Sequence, residues 1–172
     1  ESMAFMYAVT KAPELDKMMD EWIGVITKAQ QPDGYISTNM TLRERTPYMA
    51  HPNAKTYGGA YHEMYNIGHL LTAACNHYRA TGKTNFLDVA IKLADHLESV
   101  FKPGAPELRV MAGNLPNIMG LVDIYRVTGD KKYLQAAQVG VDVRGTLSNK
   151  SDLSQDHVPF REESEAVGHS VF

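Results

Sequence analysis

Apolar residues along the chain fall into helical blocks of two kinds. Leu15, Met18, Met19, Trp22, Ile23 and Ile26 follow the 3.6-residue period of a helix that opens at Pro13. Pro13 suits a first helical turn, Glu14 and Asp16 complement its dipole, and Gln31-Pro32-Asp33-Gly34 ends it in a turn. From about Ala60 to Ala80, Met64, Tyr65, Leu70, Leu71, Ala74 and Tyr78 place apolar groups on more than one side, the pattern of a helix enclosed by others. His62, Asn66, His69, Ala73 and Asn76 nevertheless form one polar-to-small stripe on it, expected to face a central cavity. Between about Thr84 and Phe101, Phe86, Leu87, Ala90, Leu93, Ala94 and Leu97 share one side while Asp88, Lys92, Asp95 and Glu98 lie elsewhere, so this is an outer helix with one wet face, stopped by Pro103-Gly104. Leu115 to Val127 repeats the inner pattern and Lys132 to Arg144 the outer one. Tyr35 to Gly59 lacks a sustained period and is long for a plain connection, hence a candidate functional loop; Thr146 to Pro159 is a second polar loop.

A repeat explains this alternation. Tyr78-Arg79-Ala80-Thr81-Gly82-Lys83 aligns without gaps with Tyr125-Arg126-Val127-Thr128-Gly129-Asp130, and Phe86-Leu87 with Tyr133-Leu134. Gly82 and Gly129 suit the left-handed conformation of a helix C-terminus, and the short connection makes the flanking helices antiparallel neighbours. A weaker third copy, Ala8-Val9-Thr10-Lys11-Ala12-Pro13, stands near the start. Repeats of this length belong to stacked helical pairs, either open solenoids or closed double rings. Inner helices beginning near Ala60, Leu115 and Glu162 all run one way, because an antiparallel helix separates each from the next, so their N-termini and unpaired amide donors gather at one end.

Composition narrows the partners. The 172 residues are 44% hydrophobic and 22% charged, with a formal charge of -3 and a pI near 6.2, which leaves no basic footprint for nucleic acid or an anionic membrane. No apolar run approaches the ~20 residues of a membrane span, and no signal-peptide pattern opens the chain. The single cysteine, Cys75, permits no internal disulfide and no Cys-x-x-Cys metal site, and its neighbours suit a buried small hydrophobe. Glu1 to Ala8 has the pattern of the last turns of a helix, and Phe172 falls just after another has begun. The expectation is a partial domain over residues 1–172, cut at both ends and holding roughly three hairpins.

Candidate chemistry concentrates in two Gly-His pairs, Gly68-His69 and Gly168-His169, each preceded by carboxylates. A polar pocket lined by these helix openings would account for them and would suit a hydroxyl-rich ligand. Each residue has a plainer role beside it. Glu63, Glu162, Glu163 and Glu165 sit well in a first helical turn, where Arg161 pairs with them. His62 and His69 are seven apart, not at the spacing of a helical zinc pair. Tyr35 and Tyr65 suit either sugar stacking or core packing. His51, His77, His96 and His157 are read as structural.

The runs Gln30-Gln31-Pro32-Asp33-Gly34-Tyr35, Glu63-Met64-Tyr65-Asn66-Ile67-Gly68-His69-Leu70, Tyr125-Arg126-Val127-Thr128-Gly129-Asp130 and Pro159-Phe160-Arg161-Glu162-Glu163-Ser164-Glu165-Ala166-Val167-Gly168-His169 resemble, in order and spacing, the N-terminal catalytic region of glycoside hydrolase family 127, the beta-L-arabinofuranosidases. The resemblance implies an all-α (α/α)6 barrel, of which this chain supplies about half, with a sugar pocket at the inner-helix N-termini. It implies sugar contacts from His69 and His169; Glu63 and Tyr65, on the same helix opening as His69, are further candidate sugar contacts read from the residues themselves. Where the family normally places a further histidine after a glycine this chain has Gly113-Asn114, so Asn114 takes that place. The implied chemistry is retaining hydrolysis with an acid/base carboxylate and a zinc-held cysteine thiolate as nucleophile. Zinc is thus implied for the full-length enzyme; this chain has no cofactor and no catalytic residue of that set, and the remainder of the barrel is its missing partner. Two alternatives stand beside this: another (α/α)6 carbohydrate enzyme, of the unsaturated glucuronyl hydrolase or epimerase type, and a non-enzymatic helical-repeat scaffold that binds peptides on its concave face. A bacterial periplasm and a cytoplasm are equally compatible with the chain.

Overall fold

The computed structural model describes residues 1–37, 63–105, 108, 115–143 and 162. Among them are six helices and no strand: α1 (Ser2–Thr10), α2 (Pro13–Ala29), α3 (Glu63–Thr81), α4 (Asn85–Val100), α5 (Leu115–Thr128) and α6 (Lys131–Asp142). Helices α1, α3 and α5 pack side by side as one layer, α2, α4 and α6 form a second, and each inner helix also packs on its own outer partner.

Three hairpins share one cap. Gly82 and Gly129 adopt φ of 74° and 75°, and their N–H groups donate to the carbonyls of Tyr78 at 2.8 Å and Tyr125 at 2.7 Å. Thr81 and Thr128 donate their hydroxyls back to the carbonyls of His77 and Ile124, then accept from the N–H of Lys83 and Asp130. The weak third copy repeats every bond: Thr10 donates to the Met6 carbonyl and accepts from the Ala12 N–H, while the Lys11 N–H donates to Tyr7. Lys11 holds φ 54° there without being glycine, and its ammonium reaches across to the Ala80 carbonyl at 3.1 Å.

Cross-contacts give the directions. Gly68 meets Pro116, Gly120 meets Gly68 and Leu71, and Asp123 accepts from Thr72 and Arg79, so α3 and α5 run parallel. Contacts of Glu1 with His69 and of Lys11 with Ala80 set α1 parallel to α3. The inner helices therefore start at one end, as the alternation of turns requires. In the outer layer, Asp20 takes Lys83 and Asn85 from the opening of α4, and Asp95 takes Lys132 and the Tyr133 hydroxyl from the opening of α6. Each hairpin thus hooks onto an aspartate of the previous outer helix.

The core lies between the layers, where Met64, Leu71, Ala74, Leu93, Leu97, Leu121 and Ile124 are fully enclosed. Cys75 is buried among them, as expected of a small hydrophobe. The apolar period of α2 is only half packed. Met19 and Ile23 are buried, whereas Trp22 is 60% exposed and Met18 and Val25 lie beside it, continuous in kind with Phe5, Met6 and Val9 on α1. Periodicity located the apolar face but not which part of it these hairpins cover.

The α3–α5 crossing is the tightest contact. A Cβ on Gly68 would lie 2.1 Å from the Pro116 carbonyl carbon, and one on Gly120 would lie 2.8 Å from the Gly68 oxygen. In the full-length protein, Gly68→Ala is expected to cost about 1–3 kcal/mol by overpacking backbone against backbone. Gly82→Ala, with open space around it, loses only the left-handed preference, about 1 kcal/mol. Urea midpoints should rank the two variants in that order.

Candidate functional site

His69 stands on the second turn of α3 with its ring tilted 56° against Tyr65 at 4.6 Å, the contact of residues one helical turn apart. Its Nδ1 lies 3.4 Å from the Glu1 carboxylate, and half of its side chain is open to solvent. On the expected stripe, Asn66 is likewise exposed, and Ala73 and Asn76 are half-buried. His69 lies toward the end where the inner helices begin, and Ala73 and Asn76 follow down the helix. His62, Asn114 and His169 fall outside the described residues, as do His51, His157, Arg161, Glu163 and Glu165. Glu162 is exposed.

Glu63 is placed differently from His69. Its carboxyl is turned into the protein, 5% exposed, where the Tyr35 hydroxyl donates to Oε1. Burial pushes this carboxyl above the ordinary carboxylate range, opposed by the hydroxyls of Tyr35 and Ser37. Tyr35 is itself buried and packs its ring 5.6 Å from His96, so for this tyrosine core packing replaces sugar stacking. Pairwise linkage of Tyr35 and Glu63, 28 positions apart, left no mark in the sequence beyond an aromatic residue directly after the Pro-Asp-Gly turn.

Gly68 also has a different explanation from the one its motif suggested. It is required by the approach of α5, which a side chain would block. Only the histidine of that pair is left to chemistry.

A cleft of about 540 Å³ opens between α1, α2 and α3, lined by Met19, Ile23, Ile26 and Leu70, with Glu1 and His69 in its wall. Its lining is mostly hydrocarbon, which suits a gap between layers and not a ligand made of hydroxyls. His77 also lines it. That ring is 2% exposed, faces Phe86 edge-on at 6.1 Å, and neither nitrogen has a hydrogen-bond partner among the described residues.

A zinc-bound thiolate needs a low-pKa, ligand-rich setting. Cys75 does not fit: burial, with the Asp123 charge adding to it, pushes its thiol up to about 12. Among the described residues no three His, Cys, Asp or Glu side chains come together as a metal site. No helix among them is long and apolar enough to cross a membrane.

The beta-L-arabinofuranosidase GH127 catalytic-domain model matches residues 1–172. The chain belongs to that family. It is 33% identical over 145 residues to a non-reducing end beta-L-arabinofuranosidase of Bifidobacterium longum subsp. longum, covering 84% of this chain and 22% of that protein. The crystal structure of a GH127 beta-L-arabinofuranosidase from Geobacillus stearothermophilus superposes with a TM-score of 0.85 at 33% identity, over 99% of this chain and 29% of the other. A further GH127 beta-arabinofuranosidase gives 0.81 at 36% identity, over 98% and 27%. The GH127 chain spans less than a third of the length of these relatives. Its three hairpins are a partial (α/α)6 barrel, and the readings as a glucuronyl hydrolase, an epimerase or a peptide scaffold give way to the family match.

Burial lowers the pKa of His77 below its ordinary value of 6.5, against the pull of Asp20 and Asp16 and with the push of Lys83. His96 is lowered by burial too, against Asp33. As pH falls through the ordinary value, the unfolded chain takes up these protons before the folded one. The stability tied to neutral imidazole is intact above 6.5 and lost as pH falls toward the depressed folded values. Glu63 has the opposite sign, its contribution being full below 4.5 and lost as pH rises through its raised folded value. His77→Leu is expected to flatten part of the fall in melting temperature between pH 7.5 and 5.5; an unchanged slope in a thermal-melt series would exclude His77 as its source.

Proposed function

We propose that this chain is the sugar-recognising part of a retaining glycoside hydrolase that acts on beta-L-arabinofuranosides or related glycans. What carries the reading is the common starting end of the parallel inner helices, with His69 half-exposed there between Tyr65 and Glu1. The family match gives the carbohydrate class.

In this reading His69 holds a sugar hydroxyl, as donor or acceptor according to its tautomer, and Tyr65 offers an aromatic face beside it. Asn114, directly before α5 in sequence, and His169, in the second Gly-His motif, complete the polar set. Asn114 brings both a donor and an acceptor where an imidazole offers one of each. Glu63, with its carboxyl facing inward, serves from behind. His69, Tyr65, Asn114 and His169 bind and orient the furanose ring, which is the entropic share of the catalysis. Retaining hydrolysis also requires a carboxyl to protonate the departing oxygen and a nucleophile to take the glycosyl group. The described residues do not fit a zinc-held thiolate, and no step is assigned to one. The exposed apolar side formed by Phe5, Val9 and Trp22 is where the remainder of the barrel packs. The working compartment is a bacterial periplasm or cytoplasm.

Two measurements follow. The isolated 172-residue chain is expected to release no nitrophenol from an aryl beta-L-arabinofuranoside, and turnover above background would overturn the division of labour. In the full-length enzyme, His69→Ala should lower kcat/KM by about 1–3 kcal/mol in transition-state terms, the worth of one buried polar contact. Its far-UV circular dichroism should be unchanged; wild-type kinetics would remove His69 from the site.

A further inference from the structure

We infer that Tyr35 and Glu63 are positioning residues, which fix the first two turns of α3 against the outer layer and so set where His69 presents its imidazole. This rests on the reading of His69 as a sugar contact.

The turn that carries Tyr35 is itself fastened to α4. Gln30 Nε2 donates to both the Gly34 and Val89 carbonyls at 2.9 Å, tying the turn to itself and to the outer helix. His96 Nδ1 lies 3.1 Å from the Asp33 carbonyl. Gly34, at φ +91°, sits so close to α4 that a Cβ would come within 2.2 Å of the Lys92 carbonyl oxygen. Inside the turn, the Tyr35 N–H donates to Asp33 Oδ1 at 3.1 Å and the Gln31 N–H donates to the Tyr35 carbonyl at 2.8 Å. The Tyr35 hydroxyl therefore has a fixed place relative to α4, and it is spent on Glu63.

Glu63 is the first residue of α3, and His69 follows about 9 Å further along the axis, on the same rigid helix. Among the described residues the ring of His69 has no comparable hydrogen-bonded anchor, since its contact with Glu1 is 3.4 Å and exposed. A buried carboxyl is also an expensive choice for stability alone. Its Oε2 has no hydrogen-bond partner among the described residues, and a packed hydrocarbon of similar volume would avoid that desolvation. What a directed hydroxyl-to-carboxyl bond adds over hydrocarbon is a defined axial and rotational setting of α3, and the group on α3 that needs one is His69.

The test is a double-mutant cycle in the full-length enzyme, with kcat/KM on an aryl beta-L-arabinofuranoside and melting temperature measured for each variant. Tyr35→Phe keeps the ring against His96 and removes only the hydroxyl. Glu63→Gln keeps an oxygen for that hydroxyl, and Glu63→Leu does not. Tyr35→Phe and Glu63→Leu are each expected to lower kcat/KM about tenfold, the scale of a sub-ångström misplacement, while Glu63→Gln stays within about twofold of wild type. In the His69→Ala background the loss from Tyr35→Phe should shrink to under about twofold, because the group it positions is gone. Should Tyr35→Phe leave kcat/KM intact, or cost the same factor with and without His69, the positioning role is overturned while the sugar contact stands. Should His69→Ala itself be silent, both fall together. A general loss of folding would lower the melting temperature and act equally in both backgrounds, so it counts against the inference.

Discussion

The structure depends on one contact in which backbone meets backbone. Where α3 crosses α5, the Gly68 position lies against Pro116 and Asn117, and Gly120 returns the approach onto Gly68 and Leu71. Two glycines on facing helices let the axes come together without side chains between them, which brings a long row of contacts into range further down. Thr72 and Arg79 then reach Asp123, and Leu71, Ala74, Leu121 and Ile124 close a dry interior. The parallel direction of the inner layer, and with it the gathering of helix starts at one end, is held by this crossing.

Sequence reasoning recovered the architecture because its signal is local. The Thr-Gly caps are made within seven residues, so His77 to Lys83 and Ile124 to Asp130 declare their turns on inspection, and even the divergent Thr10-Lys11 copy forms the same three bonds. Alternation of enclosed and one-faced helices follows from side-chain period alone. The site was legible only in part. His69 is exposed on the stripe read from the sequence, while Gly68 has a steric role that depends on a partner helix about 50 residues away, which periodicity cannot see. Trp22 misled for a similar reason, since an apolar face shows which side is covered but not by what. Glu63 and Tyr35 were each noticed singly, and their pairing depends on how a turn lies along α4, a tertiary fact. Asn114 and His169 lie outside the described residues, so their places rest on sequence order and family resemblance.

Electrostatics follows the same split between layers. Outer-layer charges are paired at the surface, as in Lys83 with Asp16 and Asp20 or Lys132 with Asp95, arrangements that fix neighbours more than they add stability. Titratable groups taken inside are instead shifted toward their neutral forms by burial: His77 and His96 lose affinity for a proton, and Glu63 gains it. His69 itself stays half open to solvent beside the Glu1 carboxylate.

One series of ties between hairpins lies at one rim. Lys11 to Ala80, Asp20 to Lys83 and Asn85, and Asp95 to Lys132 and Tyr133 are clustered where inner helices end and outer ones begin. Toward the opposite rim, where His69 stands, Tyr35 is tied to Glu63, Asp33 to His96 and Glu1 to His69. The clasp at the inner-helix ends is built apart from His69, whereas the Tyr35–Glu63 tie sits close to it, so substitutions around His69 can leave the clasp whole. A clasp placed at the far rim can be inherited while the edge around His69 diversifies.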